Sequence, residues 1–109
     1  MNFDEVLRLG ALGARLSNIP DENLAELNEV GNAYSAGLQQ LPREAVPCVV
    51  LAMKLLQGKP YRITTDNKES VARYRKVAER LGATVETADE TDFPAPGMTC
   101  IVFRPPLSQ

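Results

Sequence analysis

Residues 58–88 read GKPYRITTDNKESVARYRKVAERLGATVETA. The stretch divides into strand, helix and strand, and each boundary has its own chemistry. Gly58 and Pro60 end a preceding helix, glycine by capping it and proline by refusing to continue it. Tyr61-Arg62-Ile63-Thr64-Thr65 alternates and is rich in strand formers, which predicts a strand with Tyr61, Ile63 and Thr65 on one face. Asp66 is positioned to cap a helix, with Glu69 three residues on in capping-box spacing. Val71, Tyr74, Ala78 and Leu81, helped by Val77, form its core stripe, and Arg73, Lys76 and Arg80 lie together on the far side. Gly82 ends that helix, and Ala83–Ala88 is a second strand. If the two strands pair in parallel, the helix between them is a right-handed crossover.

Working outward to the C-terminus, Asp89–Gly97 reads as an acidic, proline-rich loop and Met98–Arg104 as an apolar last strand stopped by Pro105-Pro106. That strand can pair antiparallel with one of the other two. An unpaired sheet edge favours pairing with a partner chain. Ser108 and Gln109 form a tail. The loop acids Asp89, Glu90 and Asp92 lack the spacing of a calcium loop and read as solvated.

Toward the N-terminus, Val46 precedes a proline and is biased away from helix, so a helix is predicted from Pro47. Only Lys54 interrupts its apolar run, which predicts a central helix covered on nearly all sides; a buried strand is the alternative for the same run. Residues 2–16 read as a helix capped by Asn2, with Phe3, Val6, Leu7, Ala11 and Ala14 on one stripe and Leu9, Leu12 and Leu16 beside it. Gly10 and Gly13 mark either close packing or a break in that helix. A second helix is predicted from Pro20 to about Gln40. Its stripe is Leu24, Leu27, Gly31, Tyr34, Leu38 and Leu41, at coiled-coil spacing. Two readings fit the stripe: a helical hairpin packed on its own core, or a self-association element with Gly31 allowing close backbone approach. The expectation is an α+β fold in the order α-α-α-β-α-β-β. A helical hairpin (1–41) and an α/β unit (42–109), with a small three-stranded sheet, form a single domain.

The 109 residues suit one domain with one core. No apolar run approaches the ~20 residues of a membrane span, so no membrane partner is expected. The acidic N-terminus does not resemble a secretion signal, and Cys48 and Cys100 read as reduced core thiols of a cytoplasmic protein. Net charge is −2, but residues 58–82 carry seven basic and three acidic side chains, a local positive region on an acidic chain. The chain has no histidine, the commonest general base and zinc ligand.

The middle of the chain also carries a resemblance. Residues 52–60 (AMKLLQGKP), followed by 67–86 (NKESVARYRKVAERLGATVE), resemble the C-terminal domain of the bacterial ribosomal stalk protein. That family shares its fold with the ClpS adaptor, and the likeness covers about residues 52–87. It implies a helix ending in a proline turn, then strand, helix and closing strand. The family's opening strand and first helix are absent before residue 42. Its glycine- and lysine-rich entry to the middle helix is replaced by Ala45-Val46-Pro47-Cys48-Val49-Val50, so its contacts with translation factors do not carry over. The last strand can fill the sheet position left by the missing first one. A second likeness, to the TusA sulfur carriers, rests on Cys48 at a helix start; there the order is Cys-Pro, here Pro47-Cys48.

The function expected from these residues is a non-enzymatic protein–protein interaction or adaptor module without a cofactor. Self-association would use Leu24, Leu27, Gly31, Tyr34 and Leu38, and a protein partner would meet Arg62, Arg73, Lys76 and Arg80. One alternative is nucleic-acid binding through the Arg73, Lys76 and Arg80 face. Another is a thiol-based sulfur carrier at Cys48, where a helix N-terminus can lower a thiol pKa. Thr64, Thr65 and Asp66 stand where α/β units bind anions, although Asp66 is more simply explained as a cap.

Overall fold

Asn2 starts the first helix, α1 (Phe3–Leu16): its side-chain oxygen accepts from the Glu5 backbone N–H at 3.2 Å. The Glu5 carboxylate does not turn back to complete a capping box. It pairs with Arg8 one turn on, and that bond holds the Glu5 carboxyl below its ordinary pKa. The computed structural model describes residues 1–87 and 98–106. The readings of the acidic loop 89–97 and of the tail 107–109 lie outside the described residues.

The order that follows is α2 (Leu24–Gln40), a 3-10 turn (Arg43–Ala45), α3 (Val46–Leu56), β1 (Tyr61–Thr65), α4 (Lys68–Arg80), β2 (Thr84–Thr87) and β3 (Thr99–Arg104). Among the described residues, four α-helices and a three-stranded antiparallel sheet make this an α+β fold in the order the sequence implies. Four local expectations shift. α2 begins at Leu24, with Asn23 at the cap position but no side-chain bond to the helix amides, so Pro20 to Glu22 stay in the connecting turn. α3 begins at Val46 rather than Pro47, because the preceding 3-10 turn already delivers Val46 in helical geometry. The cap of α4 is Asn67, not Asp66: its side-chain oxygen accepts from the backbone N–H groups of Glu69 and Ser70 at 2.9 and 3.1 Å. Finally, the stripe of α1 is rotated. Val6, Leu9, Gly10, Gly13 and Ala14 are buried, whereas Ala11 is exposed.

Both α3 and α4 end in the same hydrogen-bond pattern. Gly58 (φ 76°) and Gly82 (φ 70°) take the left-handed conformation that side chains disfavour. The next amides, Lys59 and Ala83, donate to the carbonyls of Lys54 and Ala78 at 3.0 and 2.9 Å. This closes each helix with its last carbonyls satisfied and turns the chain into a strand.

The sheet order is β1-β3-β2, so β1 and β2 do not pair with each other and the last strand pairs with both rather than with one. β3 lies between them and pairs antiparallel with both, Ile101 opposite Ile63 and Thr87, Phe103 opposite Tyr61 and Val85. The reason is burial. Cys100, Ile101 and Phe103 are all buried and Val102 is half-buried, and a strand apolar on both faces is best satisfied at the centre of a sheet.

One side of the sheet, carrying Tyr61, Ile63, Val85, Ile101 and Phe103, packs against α3 and α4. The Tyr74 and Phe103 rings meet edge to face at 6.4 Å, a geometry worth about 0.5–1.5 kcal/mol beyond area burial. α1 lies on α3 and contributes Val6 and Leu9, both fully buried, to the same core. At Gly10 the contact is so close that an added Cβ would stand 2.6 Å from the Ala52 Cβ, so the two α1 glycines serve packing and the helix runs unbroken. α2 leans on α1 and buries only Val30 fully.

Candidate functional site

The stripe of α2 faces α1. A Cβ at Gly13 would stand 3.0 Å from Tyr34 Cε1, and one at Gly37 would stand 2.3 Å from Leu9 Cδ2. Leu27, Gly31, Tyr34 and Leu38 are half-buried in this hairpin; Leu24 is 66% exposed. Gly31 itself has room, its nearest neighbour for a Cβ being Leu16 Cδ1 at 3.9 Å. The close approach expected at Gly31 is therefore made by Gly37, one and a half turns on. Four of the five residues assigned to self-association are engaged within their own hairpin.

The four cations assigned to partner binding are not brought together. Arg73, Lys76 and Arg80 share α4, which packs on the inner side of the sheet; Arg62 alternates with Tyr61 and Ile63 and faces the outer side. Within α4 the three differ again. Arg73 is half-buried and donates from Nη2 to Ser70 Oγ at 3.0 Å. Arg80 pairs with Asp4 of α1. Lys76 is exposed, as is Arg75, which the stripe reading passed over.

Cys48 is fully buried. Burial pushes its thiol above the ordinary value, and the positive charge of Arg73 pulls it part of the way back. A thiol held protonated under a helix layer is a poor nucleophile. Among the described residues no group of three or more cysteine, aspartate or glutamate side chains stands together to hold a metal ion. Thr65 Oγ1 accepts from the Asn67 amide at 3.1 Å, and Asn67 satisfies the next two amides. The start of α4 thus bonds to its own side chains at the place where an anion would have bound.

The outer side of the sheet is different. Cys100 is buried there, whereas Arg62, Thr64, Thr84, Glu86 and Arg104 are exposed. Arg62 lies opposite Val102, and its Nε donates to Cys100 Sγ at 3.1 Å. On the other flank Arg104 Nε donates to Glu86 Oε2 at 3.3 Å. Between them Pro60, Tyr61, Arg62, Val102 and Arg104 line an open groove of about 390 Å³. β1 borders this groove and is an edge strand of the sheet. Neither Val102 nor Arg104 was singled out from the sequence. The available signal was alternation in β3, which puts Cys100, Val102 and Arg104 on one face, but both faces of 99–103 are too apolar for the period to stand out.

The fold and this surface define a small α+β domain with helices on one side of its sheet and a cationic groove on the other. Comparison with protein-family models, with curated proteins and with solved structures finds no match to the chain. None of the described helices is long and apolar enough to cross a membrane.

Proposed function

We propose that this chain is a non-enzymatic protein-interaction module that meets its partner on the outer face and free edge of the sheet. The observation that carries this reading is the exposure of Arg62, Thr64 and Arg104 on one face of the sheet, at and beside the edge strand β1. An edge strand offers unpaired main-chain N–H and C=O groups, and partners commonly use such groups. The surface differs from the α4 stripe and the α2 stripe expected from the sequence, and shares with them only Arg62.

The nucleic-acid alternative finds less support on this face. Stacking platforms for bases need outward aromatic rings. Phe3, Tyr34, Tyr61, Tyr74 and Phe103 all pack in or against the core.

A photo-crosslinking amino acid at Thr64, introduced in the full chain in cells, tests the reading. The expected outcome is a discrete protein adduct at position 64 that is lost when Arg62→Glu is added, with none from a crosslinker at Ala36 on the exposed side of α2. Adducts confined to Lys76, or adducts digested by nuclease, would overturn it.

A further inference from the structure

The outer groove has three properties that together select a ligand. The first is its charge. Arg62 lies across from Val102 and Arg104 two residues along β3 on the same face, and each bonds through Nε, Arg62 to Cys100 Sγ and Arg104 to Glu86. The two terminal amino groups of each guanidinium have no hydrogen-bond partner among the described residues. The planar fork of a guanidinium matches the two oxygens of a carboxylate. Both anchors are weak: one acceptor is a thiol sulfur, and the Arg104–Glu86 pair is more than half exposed on both sides. An incoming carboxylate therefore displaces little.

The second property is the floor. Val102 and Pro60 supply apolar area beside the two cations, so a ligand that carries only charge leaves part of the groove unfilled. The third is the edge. β1 runs along the groove with one side of its backbone paired to β3 and, among the described residues, no strand on the other side. An extended peptide can hydrogen-bond along that edge and present alternate side chains to the outer face; a nucleic-acid strand has no such backbone to offer.

Resting on the interaction-module reading above, we infer that the groove between Arg62 and Arg104 receives an acidic peptide segment in extended conformation, added as a strand to β1, with one of its carboxylates held by the two arginines. Alternate residues of the segment face the outer side. A carboxylate on that side meets Arg62 and Arg104, and the residues between the acids face the other way. Glu86 sets the limit of the site toward β2 by repelling further acids, so the segment lies on the β1 side of β3.

The test uses the full-length protein and a short synthetic peptide alternating valine with glutamate, labelled for fluorescence anisotropy. Three peptides are compared: this one, its lysine counterpart, and a form N-methylated at every amide, which has no N–H left to donate to a strand edge. The glutamate peptide is expected to bind saturably, more weakly as salt is raised. Its affinity should fall by about tenfold or more in the Arg62→Glu, Arg104→Glu double variant and stay unchanged in Lys76→Glu, which reverses a charge on α4. Circular dichroism of each variant shows that the fold is kept. Equal binding of the lysine peptide, undiminished binding of the N-methylated peptide, or undiminished binding by the double variant overturns the proposal. So does displacement of the peptide by single-stranded oligonucleotide at equal charge. Absence of any peptide binding overturns it as well, while a protein adduct at Thr64 would leave the interaction-module reading standing.

Discussion

A Cβ added at Gly10 would lie 2.6 Å from the Ala52 Cβ and 3.2 Å from the Met53 backbone nitrogen, inside the range of real contacts and against backbone that cannot yield cheaply. At Gly31 the nearest atom is a leucine methyl at 3.9 Å. Alanine gains the same helix propensity at either site, up to about 1 kcal/mol, so packing alone decides the sign. Gly10→Ala is expected to destabilise by roughly 1–3 kcal/mol, the usual cost of overpacking. Gly31→Ala is expected to stabilise by up to about 1 kcal/mol. The midpoints of urea unfolding measure both, and a stabilised Gly10→Ala protein would show that α1 and α3 do not approach this closely. In the sequence the two glycines look alike, each a weak point on an apolar helix. Which of them faces a neighbour depends on how far each helix rotates about its axis, and tertiary packing sets that. The same blindness put the close approach at Gly31 instead of Gly37.

At the scale of the element, the start of α4 separates two adjacent residues that both make good caps. The pattern Asp66 to Glu69 fits a capping box, and from the residues alone it is the better match. Strand β1 overrides it by running through Thr65, whose Oγ1 accepts the Asn67 amide and leaves Asn67 in the extended geometry a cap needs (φ −93°, ψ 108°). Asn67→Ala should therefore cost about 1 kcal/mol, and Asp66→Ala should lie within a few tenths of the parent. Thermal unfolding of the two single variants settles the assignment, and the reverse ranking would restore the capping box at Asp66. The helix cores, the two glycine terminations and the alternation of β1 were all legible, because each rests on residues close in sequence. The sheet order was legible only in part. Cys100 to Phe103 has the continuous apolar character of a central strand, but chain order suggested pairing β1 with β2, the strands joined by α4. The candidate groove was hidden for the same reason: Arg62 and Arg104 are 42 positions apart in the chain, and only the antiparallel register of β1 with β3 makes them neighbours.

For the whole molecule, the division into a hairpin and an α/β unit meets a core that crosses it. Val6 and Leu9 of α1 are fully buried in one cluster with Val49, Leu51 and Ala52 of α3 and with Ile101 and Phe103 of β3. The first helix is thus part of the sheet's covering layers, and α2 is the outermost element, fully burying only Val30. Native-state hydrogen exchange reads this arrangement directly, since amides that open only with the whole core exchange together. The amides of α1, α3 and β3 are expected to exchange at one common free energy, and those of α2 at a lower one. Leu9→Ala removes buried side-chain volume at the junction and should cost about 2–5 kcal/mol. Because the core is shared, that loss should appear equally in the exchange of α1 and of β3, although Leu9 belongs to the hairpin. Were α1 to lose protection while β3 kept its own, the hairpin would be a separable unit docked on an independently stable sheet. Surface charge cannot substitute for this coupling: the Asp4–Arg80 pair, which also joins the two parts, is exposed on both sides and contributes about 0–1 kcal/mol. The stability that reaches the sheet from the N-terminal helices passes through Val6, Leu9 and the Gly10–Ala52 contact, on the side of the molecule opposite the outer groove. A substitution at Leu9 should therefore lower stability without moving Arg62 or Arg104. Peptide affinity measured well below the unfolding transition should stay at the parent value in Leu9→Ala.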